Sequence, residues 1–447
     1  MQRAALVAFG VLTLTALGCR PDREPRQLVV ATDAPVRSLD PRLAVDNASA
    51  KVSRLIFEGL TEVDERGLPR LVLAESIQPG AARAANGEPL AFVVRLRGGV
   101  RFHDGQPLTA RDVVYTYQSV MDPRFGAVIA GAFRRRFRAV YADPVDPLVV
   151  HFALRRPLAT FATDVVLGIA PESLQSAPDQ RFVGQPIGTG PWRVQDSSTH
   201  SRVVLRRHLG HREASSWRAI HPASMVFAAI ADEGARALSI LGGGADVAIG
   251  SISPAVLNNA ASGSRATVQR ADGVAWAYMG LNLRQRRFSD LRVRQAIAMA
   301  IDRQAIVDGI LGARARLAEG MMAPQHWAHV SLPKTPFDRA KAAQLLDAAG
   351  WRRDRDHPEN ARFSLQIKVS TNRLRRAIGG AIARDLRAVG IDATVRSFEL
   401  GTFLADVRAG RFEAFLLLLP EPLEPDFLAW MFHSQNAPIK APDASPE

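Results

Sequence analysis

Cysteine occurs once in this chain of 447 residues, at position 19. A lone thiol makes no disulfide within the chain and no cysteine-ligated metal cluster, so the fold must rest on packed apolar cores. The length suffices for two or three domains with sizeable cores. Hydrophobic residues make up 47% and charged residues 23% of the chain, the balance of a globular protein rather than a disordered one.

The same cysteine closes an unusual N-terminus. Met1-Gln2-Arg3 carries one side-chain positive charge, and the 14 residues Ala4–Leu17 are uncharged and mostly apolar. That run falls short of the roughly 20 residues of a spanning helix and has the length of a signal-peptide core. Ala16-Leu17-Gly18-Cys19 resembles the bacterial lipobox. The resemblance implies a signal peptide over 1–18, lipidation at the Cys19 sulfur, and two or more acyl chains where one holds only weakly. Residues 19–27 then form the lipidated cysteine and a polar tether containing Pro21 and Pro25. The expected location is the cell envelope, on its periplasmic or extracellular face, as a membrane-anchored lipoprotein. Arg20 differs from the aspartate associated with inner-membrane retention in some bacteria.

The formal net charge is +13, and with only five lysines most of the positive charge is arginine. The arginines are scattered, and the densest run, Arg134–Arg136, is short and has no aromatic ladder beside it. The basic excess reads as a solvated surface. A chain placed outside the cytoplasm has no nucleic-acid partner.

Hydrophobic periodicity marks the elements. Leu28–Ala31 reads as a first buried strand stopped by Asp33 and Pro35. Phe92, Val94 and Leu96 alternate with polar or outward positions as in a strand, and Val100–Phe102 is a second candidate beyond Gly98-Gly99. Thr109-Ala110-Arg111-Asp112 predicts a capping box opening a helix with an apolar face of Val113, Val114, Tyr117, Val120 and Met121. Asp290 is placed to cap a helix through Ile306, with Gly312 beyond its end, and Asp338 to cap another closed by Gly350. Phe363–Val369 alternates as a strand, 372–389 is helical up to Gly390, and 391–398 returns as a strand. This βαβ rhythm predicts an α/β fold with helices covering a sheet.

Several segments, in order, resemble the peptide/nickel-type solute-binding proteins of ABC transporters, the class of dipeptide- and oligopeptide-binding lipoproteins. They are Leu39-Asp40-Pro41, Ile56-Phe57-Glu58-Gly59-Leu60, the run Leu96–Val113 with His103-Asp104-Gly105 at its centre, Gly188-Thr189-Gly190-Pro191-Trp192, and Asp290–Arg303. The resemblance implies a two-lobe periplasmic-binding-protein type II fold of α/β class, with an extra domain inserted in the first lobe. The first lobe would take 28–49 and 187–273, the extra domain 50–186, and the second lobe 274–447, shortened at its C-terminus relative to the family. Ligand would sit between lobes that close over it. The implied partners are a small peptide or similar solute, ABC permease subunits, and the membrane through the lipid anchor. The protein is expected to be a monomer, to have no cofactor and no catalytic residues, and not to be an enzyme.

A zwitterionic peptide enclosed by protein needs a counter-charge at each end, because an unpaired buried charge is expensive. In peptide-binding members a second-lobe Asp, shortly before an Asp-Pro and a Phe-rich helix, takes the ligand's ammonium. Glu421 of Pro420-Glu421-Pro422 falls at that position. Asp33 after the first strand, Asn47 and Ser49, and the aromatics Trp276 and Tyr278 at the crossover into the second lobe complete the candidate ligand-binding set. The motif turns themselves read as structural: Asp and Gly shape a turn after His103, and Gly188 and Gly190 permit close backbone approach. His208-x-x-His211-x-Glu213 lacks a further ligand at metal-site spacing and reads as surface. The competing reading is a non-transport peptide receptor or a degenerate scaffold lipoprotein. Closure on ligand without stimulation of a transporter would distinguish it.

Overall fold

The computed structural model describes residues 27–433 except 65, 178–181, 183–184, 214–221, 251, 254–255, 258–265, 270–271, 355–356, 358–359, 420–424, 426–427 and 429–430. The strands in chain order are β1 (Gln27–Thr32), β2 (Thr61–Val63), β3 (Pro69–Leu71), β4 (Ala74–Pro79), β5 (Ala91–Leu96), β6 (Phe137–Ala142), β7 (Val149–Leu154), β8 (Trp192–Thr199), β9 (Arg202–Arg207), β10 (Ser224–Ala229), β11 (Val247–Ala248), β12 (Trp276–Leu281), β13 (Phe363–Ser370), β14 (Ile391–Phe398) and β15 (Ala414–Leu419). The helices are α1 (Asn47–Ile56), α2 (Ala110–Met121), α3 (Ala130–Arg136), α4 (Phe161–Asp164), α5 (Glu233–Leu241), α6 (Arg286–Ser289), α7 (Leu291–Ala300), α8 (Arg303–Gly309), α9 (Arg339–Ala348), α10 (Arg373–Ala388) and α11 (Leu400–Arg408).

These strands assemble into three larger sheets and the small β2–β3 hairpin. One sheet has the order β11-β1-β10-β9-β8, with β1 parallel to both β10 and β11. A second is the antiparallel β4-β5-β7-β6. The third is β12-β15-β13-β14, parallel except for β12. Each has its own core. Val30, Ile56, Trp192 and Leu205 gather on the first sheet. Tyr117, Phe133, Phe137 and Phe152 form an aromatic cluster between α2 and the second. Ile297, Leu346, Ile367 and Leu386 join helices to the third. Each such fully buried side chain contributes roughly 1.5–3 kcal/mol, which is how a chain lacking disulfides can hold these layers.

The local expectations resolve in detail. α2 starts where expected, with the Asp112 carboxylate accepting the Thr109 N–H at 2.8 Å, and Val113, Tyr117 and Val120 are fully buried. α9, β13, α10 and β14 follow the alternation read for them, and Gly350 and Gly390 adopt positive φ beyond the two helices. Two expectations are corrected. Val100–Phe102 is no strand: 100–108 folds into a tight loop with an isolated Arg101–Pro107 bridge, closed by the Phe102 N–H on the Gln106 carbonyl. The helix expected from Asp290 to Ile306 is two, because Ile301 turns extended and Asp302 caps a new helix by accepting the Ala305 N–H at 2.9 Å.

Arg42 locks the segment before α1 onto α2. Its side chain is fully buried, pairs with Asp40 at 2.7 Å, donates to the Tyr115 and Ser119 hydroxyls, and lies 4.4 Å over the Phe125 ring. No helix among the described residues is long and apolar enough to cross a membrane.

Candidate functional site

Most of the signature segments converge on one junction, while Asp290–Arg303 packs on the third sheet. Glu58, just after α1, receives the Arg212 guanidinium on both oxygens at 2.7 and 2.9 Å, and His211 at 3.2 Å. Burial pushes the Glu58 carboxyl up, but the hydrogen bonds from His211 and Arg212 outweigh it and hold the group below the usual carboxylate range. His103 accepts the Gly188 N–H at Nδ1, 3.2 Å, and donates from Nε2 to the Gly190 carbonyl, 3.0 Å. Its ring is 4.9 Å from that of His208. Burial is the main cause that lowers the His103 imidazole to about 4, with His208 and Arg193 adding to it against the Gly190 hydrogen bond. A Cβ on Gly188 would stand 2.1 Å from the Ile56 carbonyl oxygen, and one on Gly190 2.6 Å from that of Leu55, so both positions admit only glycine without movement. The motifs therefore splice the first sheet to the second. The reading of His211 as surface is corrected: its ring is buried and pairs with Glu58, and among the described residues no group of three His, Cys, Asp or Glu side chains could hold an ion.

The open edges lie elsewhere. In sheets with parallel strands, ligands bind beyond the carboxyl ends of those strands. In the first sheet those ends lead to Asp33, to Asp232 capping α5, and to Gly250. Gly250 has φ +106°, and a Cβ there would meet the Asp33 carboxyl carbon at 2.4 Å. In the third sheet they lead to Asn372, which caps α10, and to Glu399, which caps α11. One ion pair spans the two edges, Glu233 to Arg373 at 3.9 Å. The Arg373 side chain is 89% exposed, so the pair marks geometry more than stability. Glu233 is itself positioned by accepting the Ser253 N–H at 2.7 Å.

Beside this edge β12 begins with Trp276. Trp276 and Tyr278 point to one face of the strand, stacked 4.5 Å apart at 14°, and Tyr278 meets Phe415 edge-on at 5.7 Å. Neighbouring Met279 and Leu281 pack into the helix-covered core instead. The half-buried aromatic pair thus faces away from that core, and burial raises the Tyr278 phenol.

The other expected residues are dispersed. Asp33 is half-buried at the first-sheet edge and Asn47 is exposed at the start of α1. Ser49 is fully buried, and its hydroxyl accepts the Arg37 and Ser38 N–H groups at 2.9 and 3.2 Å, which occupies it with the backbone. Glu421 and Cys19 lie outside the described residues. Glu233, Arg373 and Gly250 were not singled out from sequence. The available signal was their place just past parallel strands, at strand-to-helix turns.

Comparison with known proteins bears on this arrangement. Residues 72–438 match the model of bacterial extracellular solute-binding proteins, family 5 middle. The glutathione-binding protein GsiB of Escherichia coli O1:K1 / APEC is 26% identical over 91% of this chain and 76% of its own length. The oligopeptide-binding protein AppA of Bacillus subtilis (strain 168) is 24% identical over 80% of this chain and 66% of its own. NikA from Brucella suis in complex with Fe(III)-EDTA superposes with a TM-score of 0.77 at 23% identity, covering 92% of this chain and 82% of NikA. AppA in complex with a nonapeptide superposes at 0.71. The fold is accordingly the type II periplasmic-binding-protein fold.

Proposed function

Because the chain belongs to family 5 of the bacterial extracellular solute-binding proteins, the peptide- and nickel-binding class that serves ABC importers, we propose that it captures a peptide-like solute between its two sheet edges and passes it to permease subunits while anchored through lipidated Cys19. The observation that supports this reading is the facing of the two parallel-strand edges across Glu233 and Arg373, with the Trp276–Tyr278 face alongside.

Each part has a task in this reading. The sheet of β1 and β8–β11 belongs to a first lobe of 28–49 and 187–273, the sheet of β4–β7 to an extra domain of 50–186, and the sheet of β12–β15 to a second lobe from 274. Asp33 and Asn47 line the cleft from the first lobe, and Trp276 and Tyr278 flank a ligand side chain from the second. Glu421 meets the ligand's ammonium. Arg373, whose exposed side chain makes a long pair with Glu233, can exchange it for the ligand's carboxylate. Ligand drives closure only by contacting both lobes better in the closed form.

The names of relatives suggest where to look: glutathione and oligopeptides for GsiB and AppA, a metal chelate for the NikA complex. Mass spectrometry of the natively purified protein should release a peptide-like molecule on denaturation, and of Cys19 should find acyl groups. For that molecule, Glu421→Gln should weaken calorimetric affinity at least tenfold with little change in melting temperature. Unchanged affinity removes Glu421 from the site, and a metal chelate as the only guest replaces the ligand class.

A further inference from the structure

The β2–β3 hairpin leaves the Glu58 junction directly and is fixed to the second sheet. Leu60 before β2 and Leu73 beyond β3 are buried in that sheet's core, and the Thr61 hydroxyl donates to the Ala162 carbonyl at 2.6 Å. At the tip the Asp64 carboxylate accepts the Arg66 and Leu68 N–H groups at 2.9 and 2.8 Å, and Gly67 takes φ +80°. An Asp side chain bonded in this way to the backbone just after it sets the turn locally.

The segment joining α8 to α9 belongs to the third sheet. Ile310 and Leu311 pack against that core, and the Asp338 N–H donates to the Met299 carbonyl at 2.9 Å. Within the segment His326 closes a compact loop. Its N–H donates to the Ala323 carbonyl and its own carbonyl accepts the His329 N–H, both at 2.9 Å, and its Nδ1 accepts the Ala328 N–H at 3.1 Å. The ring proton is therefore on Nε2.

These two rigid pieces meet tip to edge. His326 is only 5% exposed, and a Cβ on Gly67 would stand 2.6 Å from its Cδ2 and closer still to its Nε2. The Trp327 N–H donates to the Arg66 carbonyl at 3.4 Å. Position 67 thus needs glycine twice over, for its positive φ and for the approach of the ring. Gly87 has nearly the same φ, +82°, yet a Cβ there would meet nothing within 4 Å.

We propose that the β2–β3 tip is a docking post for the second lobe, and that the His326–Gly67 contact holds the lobes in the closed arrangement. The inference rests on the two-lobe reading above. The pair between Glu233 and Arg373 across the two sheet edges shows the lobes together here. A contact made in one arrangement and lost in the other shifts the equilibrium by its own free energy. A closed form favoured in this way lowers the differential affinity that the ligand must supply.

The test uses the full chain with Cys19→Ser, spin-labelled through Arg138→Cys on β6 and Lys341→Cys on α9, two exposed positions on either side of the contact. Distance distributions are recorded without ligand and with a tryptic peptide mixture. His326→Ala should lower the closed-to-open ratio roughly fivefold, the weight of one ordinary hydrogen bond. Gly67→Ala should lower it at least as much, and Gly87→Ala should leave it unchanged. In the His326→Ala background Gly67→Ala should add less than twofold, because the ring it strikes is gone. An undiminished effect there assigns Gly67→Ala to strain in the turn and overturns the contact's role. Identical distributions for wild type and His326→Ala, with peptides shortening the distance in both, overturn the docking post and leave closure standing. A distance that neither peptides nor variants move overturns the closure reading, and the docking post with it.

Discussion

Two regions of this molecule hold their polar groups in different ways. At the junction of the first two sheets the charged and imidazole groups are paired: Arg42 with Asp40 and two hydroxyls, Glu58 with Arg212 and His211, His103 with the Gly188–Gly190 backbone. At the facing strand edges the groups are half-held: Arg373 by one long pair, Trp276 and Tyr278 by each other and by Phe415. A densely paired junction fixes how the first two sheets are joined. An unsaturated edge leaves hydrogen-bonding capacity and apolar surface for a ligand. The motifs by which the sequence resembles its family thus sit mostly in the first region, which explains how relatives named for different ligands share them.

The sharpest way to break this division is to damage the junction and ask whether binding follows. Arg42→Ala leaves Asp40 buried without its counter-charge and empties the space against Phe125. Loss of one partner of a buried pair costs about 3–5 kcal/mol. Denaturant unfolding should show a loss of that size, while calorimetry on the remaining folded protein should find ligand affinity within twofold of wild type. A matching collapse of affinity would mean that the junction shapes the cleft directly.

A smaller effect is expected from acid. The unfolded His103 titrates near its ordinary value of 6.5, the folded one at about 4. Between these values the unfolded chain binds a proton that the folded protein refuses, so stability falls as pH drops from 6.5 towards 4 and is fully present above 6.5. The interval corresponds to at most about 3 kcal/mol, reduced by partial exposure. Glu58 acts in a lower window: its depressed titration contributes stability above its unfolded value of 4.5, lost as pH falls through the still lower folded value. Melting temperature from pH 7 to 4 should therefore decline more steeply for wild type than for His103→Gln, which has no proton to refuse. Parallel curves would remove His103 as the sensor.

Much of this fold was legible because its determinants are local. Asp112 closes the capping box of α2 on Thr109, Asp290, Asp338 and Asn372 cap the helices they precede, and the alternation at 363–369 is a strand buried on one face. The failures were tertiary. At Ile301 the signal is Asp302, an N-cap residue that restarts the chain as α8, and the break is held from a distance by Asp385, whose carboxylate takes the Asp302 N–H at 3.1 Å. Val100–Phe102 alternates correctly but pairs only within its own loop, with Gln106, Pro107 and Leu108, rather than with a neighbouring strand. At the edges Trp276 and Tyr278 could be picked out as aromatics at a crossover. Glu233 and Arg373 were signalled only by their place past parallel strands, because a half-buried acid and an exposed base 140 positions apart show no pairing until two sheets bring them within 3.9 Å. Ser49 shows the converse: the resemblance implied a ligand-facing position, but its buried hydroxyl is used by the 37–38 backbone.

The mildest perturbation addresses the edge itself. Trp276→Ala removes a half-exposed ring whose main neighbour is another ring, Tyr278, while Met279 and Leu281 keep the strand in its core. Stability should fall by about 1 kcal/mol or less, close to the 0.5–1.5 kcal/mol of an aromatic pair. Affinity for the co-purified ligand should fall about tenfold, since a flanking aromatic that loses contact with a ligand side chain gives up roughly 1.4 kcal/mol. The two measurements together decide the comparison: stability lost without affinity assigns Trp276 to the packing of β12, and affinity lost without stability assigns it to the ligand.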